Sequence, residues 1–575
     1  MKPFAFTLFF ILMTSITYSQ NPLVKQWDKR FGGIGSERTS YSPVILSGTT
    51  LILSGTSESY SDGDKSQLNW GSQSNIKPDY WVVKLDSMGN KIWDQRYGGI
   101  GDESLDFCVG GNDGSVTLIG ISNSPVSGDV SNINWTSNND GGVWMIKVDA
   151  MGNKIWDKGY KTSGNDYISD FIITRDKGYL IGFSSKSGIG GLKSDTCRGF
   201  FDVWIVKLDS LGNKVWDKTF GGSEDDGASS IIELPDGGFL IGGGSSSLVS
   251  GDKTDEVSGT LLSGDMWLIK TDSVGNKIWD KEFGGEYGDY ITSIEITSEG
   301  NYLLYGNSSS PVSGNKTAIP KDTSIGVDYW LVKVNPLGNI IWDKAYGGQY
   351  IEYSDYGNIV LDSDGGILLS GNSLSNAGGD KSENNFPNIG SNYQSWIIKC
   401  DSAGNKMWDK TVNIEKLLGG YANRYANMQL IKPGCFVLFS ATNGGMLGEK
   451  SQLCWDTIGP SFEDDFWVVK YCDTLLLSNT HEIKIKKHNV FAFPNPSTSS
   501  IKIGFTTEAA SLINMELFDN LGRSIKKLLD NISVENGTYY YELNFETEKI
   551  APGIIFCKIS TNTESYMLKL IYIKP

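Results

Sequence analysis

Histidine is almost absent: the 575 residues hold two, His481 and His488, and both fall in a short lysine-rich stretch near the C-terminal end. A histidine-based catalytic triad or zinc site elsewhere in the chain is thereby excluded. The seven cysteines, Cys108, Cys197, Cys400, Cys435, Cys454, Cys472 and Cys557, show no CxxC or other metal-ligand spacing, so no metal and no cofactor is expected. Long apolar runs are confined to residues 1–20, where Lys2 precedes FAFTLFFILM and then small and polar residues. That run reads as a secretory signal peptide with cleavage near Ser19 or Gln20. No cysteine directly follows the expected cleavage site, which argues against a lipoprotein anchor, and no later stretch approaches the roughly 18 residues of a membrane span. Helical periodicity is missing throughout.

What the chain does have is repetition. Tryptophans 27, 93, 156, 216, 279, 342 and 408 sit in copies of one phrase, such as KIWDKEFGG, at spacings of 66, 63, 60, 63, 63 and 66 residues. A second series, Trp81, Trp144, Trp204, Trp267, Trp330, Trp396 and Trp467, sits in segments such as DYWVVKLD. Each unit reads as four short strands separated by Gly, Asn and Asp turn signals, with an Asp-Gly hairpin between the first two strands of the unit after Trp216. Seven such units make an all-β, seven-bladed β-propeller. The first copy, Trp27, begins with the last strand of a unit and the final copy, Trp467, lacks one, so residues 24–31 are expected to complete the blade of residues 426–472 and close the ring.

The pattern Asp-x-x-Gly-x-x-x-Trp, as in Asp86, Gly89 and Trp93, resembles that of tryptophan-docking, quinoprotein-like propellers, and the closure by both chain ends resembles WD40 propellers. That resemblance implies indoles packed between blades. It carries no cofactor, because the chain has no adjacent cysteine pair. The expected organisation is a signal peptide over 1–20, the propeller over 21–475, a linker over 476–490 and a small β-sandwich over 491–575. The last segment resembles the type A C-terminal sorting domain of the type IX secretion system of Bacteroidota. The matching residues are FPNPS at 493–497, Asp519, Gly522 and Arg523 in MELFDNLGRSI, Pro552 and Gly553 in APGIIF, and Lys569. The resemblance implies handling by the type IX machinery, translocation across the outer membrane, removal of the domain, and release or attachment at the cell surface.

Net charge is −17, and residues 21–475 carry −19 of it. Such a field disfavours nucleic acid; it either favours cationic partners or serves solubility. Strand alternation puts the tight hairpins on one face and the long loops on the other, where binding is expected. Two sets of loop-face residues stand out. A carboxylate lies six residues beyond the aromatic of the FGG motif in six units: Glu37, Glu103, Asp166, Asp226, Asp289 and Glu352. These either ring the mouth of the central channel or accept hydrogen bonds from loop amides. Trp70, Trp135 and Trp455 lie outside both scaffold series, in neighbouring loops, and either stack on a glycan or anchor a protein, or fold back over the loop base.

Repeated SGDKS-like phrases read as turns, and the lysine in them argues against a calcium loop. An aspartate two residues before the inner tryptophan, as in Asp79, Asp202, Asp265, Asp328 and Asp465, reads as a structural hydrogen-bond partner. Cys454 with Cys472 is a candidate disulfide. The expected function is a secreted or cell-surface binding protein without chemistry of its own, directed at a glycan or a protein. The alternatives are a glycan-active hydrolase or lyase using carboxylates such as Asp225 and Asp226, and a structural surface component.

Overall fold

The computed structural model describes residues 22–473 and 491–572, apart from 41–43, 47–49, 72–76, 134, 136–140, 163–165, 256–263, 322–325, 356, 387–392, 416–424 and 456–463 in the first stretch and 494–496, 508–510, 520–522, 536, 546 and 562–564 in the second. The expected signal peptide and linker, with both histidines, lie outside the described residues. The chain divides into two compact units, Met1–Leu477 and Ser478–Pro575.

In the first unit the 63-residue rhythm becomes seven antiparallel sheets. Blade 4 is representative: Asp226–Glu233, Phe239–Ser245, Asp265–Thr271 and Lys277–Phe283 pair in that order. Its first hairpin turns at Gly237, whose φ of +84° only glycine adopts readily. Blade 7 pairs Asn427–Lys432, Cys435–Thr442, Asp465–Asp473 and then Leu23–Phe31, the first strand of the chain. The ring closes through that antiparallel register, from Leu23 opposite Asp473 to Phe31 opposite Phe466.

Both tryptophan series are scaffold, for two different reasons. The inner indoles, Trp81 through Trp467, are fully buried in the blade sandwiches. Each donates Nε1–H to the aspartate of a KxWDK motif 13 residues on, as Trp204 does to Asp217 at 3.0 Å; Trp467 closes the circle by donating to Asp28 at 3.1 Å. The outer indoles dock on the next blade's turn. A methyl on Gly89, at φ +78°, would lie 2.9 Å from Cζ3 of Trp27, so the glycine of the Asp-x-x-Gly pattern is demanded by both backbone angle and close approach. The aromatic before the FGG glycines adds a tie: Tyr97 Oη donates to the Gly152 carbonyl at 2.6 Å and Tyr160 to that of Gly212 at 2.7 Å.

The disulfide differs from expectation. Cys472 is joined to Cys435, its direct partner in the central pair of blade 7, and not to Cys454. Cys454 lies in the loop at the blade's far end, where its thiol donates to the Thr442 carbonyl at 2.9 Å and accepts from Lys450.

The second unit has two sheets. Phe491–Phe493, Ser500–Thr507 and Gly537–Asn544 form one; Ser524–Val534, Ser511–Phe518, Gly553–Ser560 and Ser565–Tyr572 form the other in that order. Alternating Ile501, Ile503, Ile513, Met515 and Leu517 fill the core. Ser524–Val534 is a lysine-bearing, largely exposed edge strand whose pattern is not that of a buried element.

Candidate functional site

On the loop face, every blade has to finish its strands with polar backbone pointing into a crowded junction. The six sequence-picked carboxylates serve that need. Glu37, Glu103, Asp289 and Glu352 are fully buried, Asp226 nearly so, and Asp166 is half-buried. Glu103 shows the pattern: Oε1 accepts from Ser122 Oγ at 2.6 Å and Oε2 from Gly99 N at 2.8 Å. The expectation that these acids ring an open channel mouth is therefore corrected: they are tied down by serine hydroxyls and FGG amides inside the blades.

Five of the six, all but Asp166, also meet an aspartate from the preceding blade. Asp79 lies against Glu103, Asp465 against Glu37, Asp202 against Asp226, Asp265 against Asp289 and Asp328 against Glu352. Asp79 and Glu103 both crowd the first FGG glycine, where a methyl on Gly98 would lie 2.7 Å from Glu103 Oε2. Burial first, and then the neighbouring carboxylate, pushes these acids up: Asp265 to about 8, and Glu352 to about 7. Burial with Glu103 alongside holds Asp79 at about 8, against the Trp70 amide that donates to it.

The counter-ion is the lysine of the SGDKS-like phrase. Lys65, Lys193, Lys253, Lys316, Lys381 and Lys450 are at most 3% exposed. Lys316 Nζ donates to Ser308 Oγ and the Ser310 carbonyl, both at 2.6 Å, and stands 5.6 Å from the Trp330 ring. Burial lowers Lys65 and Lys381 to about 8 against the pull of nearby carboxylates. The lysine that argued against calcium is the buried partner of the acids.

Blade 2 keeps its junction acid, Glu103, and replaces the other two members. Val130 stands where the lysine belongs and Gly142 where the aspartate does, and Trp135 fills the space. Its Nε1 donates to the Ser124 carbonyl at 3.0 Å, the equivalent of the Ser59 carbonyl that Lys65 Nζ meets at 2.8 Å. Trp135 is 5% exposed, so its place among exposed ligand-binding indoles is corrected: it is loop-base core.

Trp70 and Trp455 are 45% and 44% exposed and form matching constellations. Trp70 Nε1 donates to Asp129 at 3.1 Å beneath the Arg96 guanidinium, 4.5 Å from its ring; Trp455 donates to Asp64 at 2.9 Å with Arg30 at 4.6 Å. Each indole bridges its own loop to the next blade's SGDKS loop, with its N–H used and one face covered.

Blade 4 differs from its neighbours at the inner strand. One residue past the junction carboxylate, the blades read Arg38, Ser104, Tyr167, Gly227, Tyr290 and Tyr353. Gly227 pairs with Gly244 next to Gly243, so blade 4 brings no side chain of its own to a notch that Ser184 and Tyr290 approach from the neighbouring blades. Tyr167 and Tyr290, 61% and 46% exposed, flank it, and Phe200, at 54%, and Phe201 stand at its edge. Tyr167 and Phe201 have ring centroids 5.8 Å apart, and a methyl on Gly244 would lie 2.6 Å from Tyr290 Cδ1. The notch opens into a central cavity of about 1130 Å³ lined by strands of all seven blades. The signal was in the aligned repeats, as a missing side chain between two tyrosines.

Among the described residues no group of three or more His, Cys, Asp or Glu is placed to hold a metal, and no helix is long and apolar enough to cross a membrane.

Blade topology and junction chemistry define an all-β propeller followed by a C-terminal β unit. Residues 491–574 match the secretion system C-terminal sorting domain, so the chain is a type IX-exported β-propeller protein destined for the cell surface or the exterior. Regulatory protein FlaEY of Caulobacter vibrioides is 24% identical over 341 residues, which are 55% of this chain and 34% of that protein; the match thus spans about a third of that relative. Sqt1 from Chaetomium thermophilum is similar at 11% identity and a TM-score of 0.37, over 79% of this chain and 99% of that one. A protein of unknown function from Dyadobacter fermentans is similar at 8% and 0.37, over the same shares.

Proposed function

We propose that this exported propeller is a binding protein that recognises a glycan on its loop face, at the notch over blade 4. The supporting observation is the set of exposed rings, Tyr167, Phe200 and Tyr290, with the half-buried Phe201, around the glycines of blade 4 at the mouth of a large cavity. Aromatic faces beside glycine backbone suit stacking on sugar rings, with hydroxyls such as Ser184 and Ser246 within the lining to receive sugar hydrogen bonds. Trp70 and Trp455 act in this reading as loop latches that hold the face rigid. The hydrolase reading through Asp225 and Asp226 has less support, because Asp226 is enclosed in its junction while Asp225 is exposed.

A second reading, a protein partner, is favoured by exposed aliphatics at matching loop positions, Val126, Ile189, Val249 and Val312. The test is binding of the full secreted chain to an oligosaccharide panel with released sugars read in the same wells, comparing the native chain with Tyr167→Ala/Tyr290→Ala. Retention without release, lost in the double variant while melting temperature holds, supports the reading. Silence on every sugar, with capture of a surface protein lost on Val126→Asp, would replace it with the second.

A further inference from the structure

We propose that the notch and the cavity beneath it select amino sugars, hexosamine chains with free ammonium groups, over acidic or fully acetylated ones. This deepens the glycan reading and rests on it. The cavity lining includes five carboxyl side chains, Asp170, Asp225, Asp226, Glu295 and Asp355, and no lysine, arginine or histidine. Asp225 and Asp355 are the exposed members. Asp225 accepts one bond at Oδ1 from Phe201 N at 3.1 Å, and Asp355 accepts from the Asn307 amide, so each carboxylate keeps acceptor capacity toward the cavity.

Of the cations nearest the mouth, Arg198 is committed to carboxylates, those of Asp195 and Asp252, both at 2.8 Å, and Lys186 lies over the rim rings, 5.8 Å from those of Phe200 and Phe201 and outside the lining. An ammonium entering past Tyr167 and Tyr290 gains from their ring faces and from the carboxylates inside, whereas a uronate or sulfate, once past Lys186 at the rim, meets only like charge within the lining. Burial raises Glu295 to about 7, and burial against backbone donors leaves Asp170 at about 6, so a bound cation would draw protons off them.

A basic peptide offers ammonium groups too, but the inner edge of the notch strand has few open ladder positions. Asp226 N donates to the Phe201 carbonyl and Ile231 N to Asp170, both at 2.6 Å, so a peptide finds that edge already capped. A sugar ring laid over the glycines of blade 4 needs no such edge.

The experiment is calorimetric titration of the full secreted chain with glucosamine, N-acetylglucosamine and galacturonate hexamers and with hexalysine, in two buffers of different ionisation enthalpy. Glucosamine hexamer is expected to bind about tenfold or more tighter than its acetylated form, a difference of about 1.4 kcal/mol, with proton release and with galacturonate silent. Asp225→Asn/Asp355→Asn, checked for an unchanged melting temperature, brings the two affinities together. Equal or tighter binding of the acetylated or acidic hexamer would overturn the selectivity and leave the glycan reading standing. Hexalysine binding without sugar binding, or no binding at all, would overturn both.

Discussion

Blades 1 and 2 solve the same problem with opposite chemistry. At the loop base of blade 1, Lys65 stands between Asp79 and Glu37; at that of blade 2, Glu103 remains while Val130 and Gly142 take the places of the lysine and the aspartate. The same serine carbonyl position receives an ammonium in one and an indole N–H in the other. In blade 2 the lysine and the aspartate are both absent, and Trp135 fills the space. Blade 6 separates the two, keeping the buried Lys381 and replacing the aspartate. Where blade 7 offers no junction carboxylate, blade 6 has Gln394, which exchanges two bonds with the backbone of Ile414, at 2.9 and 2.7 Å. A buried carboxylate is kept only where there is a proton or an ammonium to balance it.

The comparison breaks most severely when one member is removed. Lys65→Ala strands the acids around it and is expected to cost about 3–5 kcal/mol in urea unfolding. Trp135→Ala should cost a similar 3–5 kcal/mol by opening a cavity, even though its charge change is nil. Equal tolerance of both would refute the idea that the two bases are alternative closed solutions.

Gly142→Asp comes next, at about 3 kcal/mol, because a methyl there already falls 2.6 Å from Trp135 Cε3. Adding Val130→Lys and Trp135→Ser converts blade 2 toward the blade 1 arrangement and should return at least half of that loss. No recovery in the triple variant would mean that the charged unit does not transfer between blades.

A gentler probe is pH. Asp79 and Asp265 are held near 8 and Asp202 and Asp465 near 6, so the native state keeps protons that the unfolded chain releases near about 4. Stability contributed by these groups is therefore present at low pH and lost as pH rises from about 4 to about 8. The lowered lysines, Lys65 and Lys381 near 8, act in the opposite sense above that range. The melting temperature should be lower at pH 8 than at pH 5.5, and Asp79→Asn should flatten the slope; a rise over that interval contradicts protons retained by these acids. Trp70→Ala gives the smallest effect, about 1 kcal/mol, from one cation–π contact and one exposed hydrogen bond.

The fold was legible because a 63-residue rhythm of tryptophans leaves few architectures, and the closure followed from the phase of its first and last copies. The junction chemistry was not. A lysine inside SGDKS reads locally as a solvated turn residue, and only the third dimension reveals that it turns under the loop. Trp135 looked like Trp70 because both follow an Asn in a polar loop; what separates them is the partner at 142, seven residues on and in another strand. The notch was hidden for a simpler reason: Gly227 marks a site by what it lacks, and glycine is common in every loop of this chain. The missed disulfide came from weighing proximity in sequence over strand register, which sets Cys435 directly opposite Cys472.

The closing strand has a consequence for the order in which the molecule is made. Leu23–Phe31 waits unpaired until residues 465–473 have been synthesised, and joining ends some 440 residues apart carries a loop-closure cost of about 5 kcal/mol before any contact rewards it. The clasp and the export address are thus both written last, one directly after the other. A chain cut before residue 465 lacks both the partner strand of Leu23–Phe31 and the sorting domain of residues 491–574, so one truncation removes ring closure and export signal together.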